Sequence, residues 1–108
     1  AVEEIKMNIS ILRISVRELC EQEGISAEQV TTIVEHGIAR PHSGKTQQDW
    51  EFDTTTAAWI RKALRLRRDL ELDWIATAML IDLLRQRDWL QDENQRLRQQ
   101  LERFLQED

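Results

Sequence analysis

A chain of 108 residues suits one small domain, and its 20 acidic against 15 basic side chains give a net charge of −5. That balance argues against general nucleic-acid binding, which needs clustered positive charge. A single cysteine, Cys20, excludes an internal disulfide and suits a reducing compartment; with no long apolar run and no secretory-type leader, the expected location is the cytoplasm, with no membrane contact.

Residues 5–14 place Ile5, Met7, Ile9 and Ile11 at alternate positions, which predicts a short strand with one buried face. Ser15 is then the expected N-cap of a first helix, with Glu18 as the other half of a capping box. Val16, Leu19 and Cys20 form its apolar stripe, and Gly24 ends it. Ser26 repeats the device, with Glu28 and Gln29 in the first turn and Val30, Ile33 and Val34 on one face, up to a stop at Gly37. Two short capped helices joined at Gly24 and Ile25 predict a helix-turn-helix. Residues 38–52 read as a wing: two short strands in a hairpin around a polar loop containing Gly44, with Pro41 kept to its edge. Asp53 should cap a third helix holding Ala57, Ala58, Ile60, Ala63, Leu64, Arg67 and Leu70, with a break near residues 70–72.

Asp73 opens a final helix that no Gly or Pro interrupts. Leu83, Leu90, Leu97 and Phe104 fall seven apart and take d positions; Leu80, Arg87, Asn94 and Leu101 are then the a positions. Apolar d positions with an Asn at a resemble a short coiled-coil seam whose register a polar pair fixes. A helix on the order of 45–50 Å long cannot bury its far end against so small a domain, so it is expected to pack on a second copy of itself. Trp89 is expected beside this stripe, over the seam. Residues 1–71 would form a winged helix-turn-helix region with the third helix, and residues 72–108 the long terminal helix, in a single structural domain. The fold class is mainly α, with a small β wing.

Chemistry-bearing clusters are scarce. Metal sensing needs grouped thiolates or imidazoles, and Cys20, His36 and His42 are scattered over two helices and a loop. No phosphate loop, nucleophile elbow or acid–base pair stands out, so neither catalysis nor a cofactor is expected. Trp50 fits the core of the wing. Trp59 and Trp74 fit either the core or an exposed contact surface, since Trp is enriched at binding hot spots.

Some blocks are more specific. They are Trp50-Glu51-Phe52-Asp53, Ala63-Leu64-Arg65-Leu66-Arg67, Leu70-Glu71-Leu72-Asp73-Trp74, and the tail Glu93-Asn94-Gln95-Arg96-Leu97-Arg98-Gln99-Gln100-Leu101. With the order helix, turn, helix, wing, two further helices, the chain resembles the MerR-like winged helix-turn-helix superfamily over nearly its whole length. Within that superfamily it is most similar to the CbpM chaperone-modulator family. The resemblance implies binding to the J-domain of a DnaJ-like co-chaperone, CbpA, through a basic helix that the DnaK chaperone also uses, and so inhibition of the co-chaperone. An acidic modulator complements such a surface.

The alternative the fold suggests is a dimeric MerR-type DNA-binding regulator. Residues 1–60 contain ten acids and five bases, so the would-be reading head carries the whole surplus of five negative charges. The second helix holds Glu28 and Glu35 and no Lys or Arg, and DNA-binding relatives have a basic, tyrosine-rich wing where this chain has no Tyr. Specific DNA binding is therefore not expected. The cluster Arg61, Lys62, Arg65, Arg67 and Arg68 is the strongest contrary sign; it also fits a solvated face pairing with Asp69 and Glu71. From residue character alone, the partner surface is expected on the third helix and the start of the fourth: Trp59, Leu66, Asp69, Glu71, Asp73, Trp74, Met79 and Asp82. Asp73 and Asp82 are nine apart and should not share one face closely.

Overall fold

Hydroxyl and carboxylate caps set the helix starts. The computed structural model describes residues 12–106. In chain order these form β1 (Arg13–Ser15), α1 (Val16–Glu23), α2 (Ala27–Glu35), a 3-10 turn (Gln47–Asp49), β2 (Glu51–Asp53), α3 (Thr54–Leu70) and α4 (Trp74–Gln106). Ser15 Oγ accepts from the Glu18 backbone N–H at 3.1 Å while Glu18 accepts from the Ser15 N–H, closing the capping box. Ser26 and Gln29 repeat this at the start of α2. Asp53 and Asp73 each accept a backbone N–H three residues on, from Thr56 and Ala76, both at 2.7 Å. These contacts satisfy donors that a helix start leaves open. At the end of α1, Gly24 takes φ 67°, a left-handed conformation that a side chain would strain.

Each helix turns its apolar stripe to one core. Leu19 of α1, Val30 and Ile33 of α2, Ile38, Phe52 of β2, Ile60 and Ala63 of α3 and Ile81 of α4 are buried together. Cys20, Val34, Trp50, Trp59, Leu64, Leu66, Trp74, Ala78 and Leu84 pack around them.

The wing departs from its expected form. Ile5, Met7, Ile9 and Ile11 lie outside the described residues. The two-stranded antiparallel sheet joins β1 to β2, with Ile14 opposite Phe52. The expected hairpin within residues 38–52 shrinks to one bridge, Ser43 with Glu51. Three features oppose the hairpin: Ile38 and Ala39 are drawn into the core, Pro41 has no N–H to donate, and Gln47–Asp49 coils. The loop is nonetheless fastened, because the His42 N–H donates to the Glu51 carbonyl at 2.7 Å and the Glu51 N–H to the Ser43 carbonyl at 3.0 Å. Gly44, at φ 105°, lets the loop fold back; a Cβ there would lie 2.3 Å from the Asp49 carbonyl oxygen.

Between α3 and α4 the chain turns at Glu71, whose φ of 53° is left-handed for a residue with a side chain. The break falls where the sequence places it. The first turns of α4 then pack on the head: Thr77 and Ile81 are buried, and Thr77 Oγ1 donates to the Asp73 carbonyl at 2.7 Å. From Trp89 to residue 106 every side chain is exposed except that of Glu93, so the rest of the helix projects as a stalk.

Gly44→Ala should cost about 2 kcal/mol or more, measured by urea denaturation, because the added carbon meets backbone at a conformation reserved for glycine. Asp53 gives a pH signature. Its carboxyl is held below the usual range, first by the Thr56 N–H, then by the Thr56 hydroxyl, with His42 and Arg13 helping. Asp53→Ala should cost about 1 kcal/mol at neutral pH. A depressed folded pKa stabilises above the unfolded value, so the wild type's advantage should fade below about pH 3.9 and through the lower folded value.

Candidate partner and dimerisation surfaces

The α3–α4 corner sorts the expected contact residues into two groups. Asp69, Glu71, Asp73, Met79 and Asp82 are exposed; Trp59, Leu66 and Trp74 are half-buried and packed on the core. Cations cover both indoles. Lys62 Nζ and the Arg85 guanidinium lie 5.3 and 5.1 Å from the Trp59 ring centroid, and the Arg67 guanidinium lies 4.3 Å from that of Trp74. Arg85 also donates to the Ile38 carbonyl, and its burial lowers its pKa without removing its charge. Arg67 Nε is buried with no hydrogen-bond partner, so stacking on Trp74 is the favourable contact its guanidinium keeps. Trp59 and Trp74 thus knit α4 to the head.

The exposed carboxylates differ in their freedom. Asp73 is committed to capping, Asp69 pairs with Arg68 at 3.1 Å, and Asp82 accepts from Gln86 at 3.0 Å. Spacing keeps Asp73 and Asp82 on different sides of α4. Asp82 instead shares an outward row with Met79 and with Ile75, which is 65% exposed. Ile75 and the exposed Leu70 are absent from the sequence-based set. The i, i+4, i+7 spacing of Ile75, Met79 and Asp82 was the signal that could have found Ile75.

Along the stalk, Leu83, Leu90, Leu97, Leu101 and Phe104 are all exposed, with Asn94 in the same row; Leu80 is half-buried at its edge. Leu83 lies about 200° around the axis from Ile81, so the row faces away from the head. A shallow trough of about 570 Å³ runs along it, lined by Leu83, Gln86, Arg87, Leu90, Gln91 and Asn94. Trp89 does not lie beside this row. It occupies the c position, roughly 100° from Leu90.

The face that would read DNA is acidic. Glu28 and Glu35 are exposed on α2, which carries no Lys or Arg. Gln47 ties the 3-10 turn to the start of α2, donating to the Ala27 carbonyl at 2.7 Å and to Thr31 Oγ1 at 2.5 Å. On α3, Arg61, Arg65 and Arg68 line a groove of about 320 Å³ with Glu23 and Leu64. Arg61 is held by Glu23 at 3.0 Å and by Gln22 at 2.8 Å. Asp69 pairs as expected; Glu71 forms no ion pair among the described residues, and Glu23 serves in its stead. Burial, aided by Glu21, raises the Cys20 thiol pKa and keeps it protonated, a poor ligand or nucleophile. Among the described residues no group of three or more His, Cys, Asp or Glu could hold a metal ion, and no helix is long and apolar enough to cross a membrane.

Residues 14–99 match the family described as MerR HTH family regulatory protein. Over 96 residues the chain is 41% identical to the chaperone modulatory protein CbpM of Pseudomonas putida, spanning 89% of this chain and 94% of that protein. This chain belongs to the CbpM family. Proteins of the same name from Citrobacter koseri and Salmonella paratyphi B are 40% and 36% identical over 91 residues, or 84% of this chain and 89% of each relative. The CbpM resemblance and the MerR-like winged helix-turn-helix class read from sequence both hold. In this chain α4 is largely uncovered from Trp89 onward.

Trp74→Ala separates a packing role from a contact role. It should cost about 2–3 kcal/mol in urea denaturation, since it removes a half-buried ring and the face on which Arg67 stacks. A loss below about 1 kcal/mol would return Trp74 to the pool of partner contacts.

Proposed function

We propose that this chain is a chaperone modulator that binds the J-domain of a CbpA-type, DnaJ-like co-chaperone and keeps DnaK from it. The observation that carries this reading is the surface around the α3–α4 corner, where carboxylates and large apolar side chains are exposed together. Leu70, Ile75 and Met79 offer contact area, and Asp69, Glu71 and Asp82 surround it with negative charge. A basic helix with an apolar stripe is the natural complement, since opposed potentials speed encounter and bias partner choice. Family membership supports the partner class. Residues 1–71 would serve as the head and residues 72–108 as the stalk of one domain.

A second copy is the proposed occupant of the stalk row, through Leu80, Leu83, Leu90, Asn94, Leu97, Leu101 and Phe104. Large apolar side chains in heptad register gain little in water, and packing two such rows removes them from it. The DNA-binding reading rests on the arginine groove of α3, but Glu23 and Asp69 already engage Arg61 and Arg68. The second helix also has no cation with which to release counterions.

Asp69→Lys and Asp82→Lys should each weaken J-domain binding about tenfold, near 1.4 kcal/mol, in calorimetry with the isolated J-domain. If both bind like wild type, the surface lies elsewhere. A salt-sensitive mobility shift with duplex DNA and no J-domain binding would favour the regulator instead. In light scattering the wild type should have a dimer's mass and a Leu90→Lys, Leu97→Lys double variant a monomer's; a monomeric wild type would overturn the seam.

A further inference from the structure

Three of the four tryptophans have an evident place. Trp50, Trp59 and Trp74 are half-buried against the core, and cations cover two of them. Trp89 is 63% exposed, one turn past Arg85, the last stalk residue that hydrogen-bonds to the head. Neither the head nor the seam accounts for it. It points away from the row of Leu83 and Leu90, and the c position of a two-stranded coil stays in water. An indole in solvent forgoes a large apolar gain.

Its surroundings indicate what covers it. Asp82, Asp92 and Glu93 stand seven before, three after and four after Trp89, on the same side of the helix. Of the two nearby cations, Arg85 is turned into the head, on Trp59 and the Ile38 carbonyl, and Arg96 is spent on Glu93. Asp82 and Asp92 form no ion pair among the described residues. One flank of the stalk, just past the head, therefore presents a bare indole set among carboxylates.

We infer that Trp89 is the anchor on which a basic helix of the J-domain partner docks, on the flank of the stalk just past the head. This rests on the J-domain reading and extends its surface about two turns along α4 from Asp82. An apolar side chain of the partner would cover the ring's edge, a Lys or Arg would stack on its face, and neighbouring cations would meet Asp82 and Asp92. The same position leaves the seam free, so partner binding and pairing of two chains are compatible.

The test uses the full chain, the isolated J-domain of a CbpA-type co-chaperone as probe, calorimetry for affinity and light scattering for mass. Trp89→Ala, at an exposed helix position, should stay helical and keep the wild-type mass while binding at least twentyfold more weakly. Trp89→Phe should recover most of that loss. If Trp89→Ala binds within twofold of wild type while Asp82→Lys does not, the anchor is wrong and the J-domain reading stands. If Trp89→Ala halves the mass, the ring belongs to the seam and the inference fails. If the wild type binds no J-domain, the reading itself fails and takes the anchor with it.

Discussion

Everything distinctive about this chain depends on how the first turns of α4 are fixed to the head. Ile81 is fully buried beside Ile60 and Ala63, and Thr77 is buried with its hydroxyl bonded to the Asp73 carbonyl. Two cation–aromatic stacks and the bond from Arg85 to Ile38 lie around that contact. A helix of 33 residues has little tertiary support of its own beyond this attachment. Because inward residues follow the helical period, fixing Ile81 inward fixes Met79, Asp82 and Leu83 outward. The proposed partner surface and the proposed pairing surface are both consequences of one packed face.

Most of the fold could be read from the sequence because its signals are local. A serine followed three residues later by a glutamate or glutamine marks a helix start whatever the tertiary context, and Ser15 and Ser26 behave accordingly. Asp53, Asp73 and the break at Glu71 belong to the same class. The wing was misread because strand pairing is not local. Nothing in residues 38–52 reveals that Phe52 sits opposite Ile14, far back in the chain, whereas the absence of an N–H at Pro41 was visible.

The candidate site was legible in type and blurred in detail. Asp69, Glu71, Met79 and Asp82 are exposed, as a docking surface needs. The tryptophans divided in a way composition could not foresee, because an indole serves equally as filling or as contact. What decided Trp59 and Trp74 was the arrival of arginines from elsewhere in the chain. What distinguished Trp89 was its heptad letter, available from the sequence once Leu90 was placed at d. On α2, Glu28 and Glu35 stayed exposed and unaccompanied by cations, as their spacing indicated.

The two sulfur side chains of the described region have opposite exposure to oxidants. The Cys20 thiol is half-buried and held protonated, which shields it from peroxide. Met79 is 64% exposed in the row of Ile75 and Asp82. Conversion of its thioether to a sulfoxide would place a polar, bulkier group within this exposed apolar row, leaving the core untouched. On the docking surface proposed above, oxidation at Met79 would loosen the partner without unfolding the protein, and a sulfoxide reductase could reverse it.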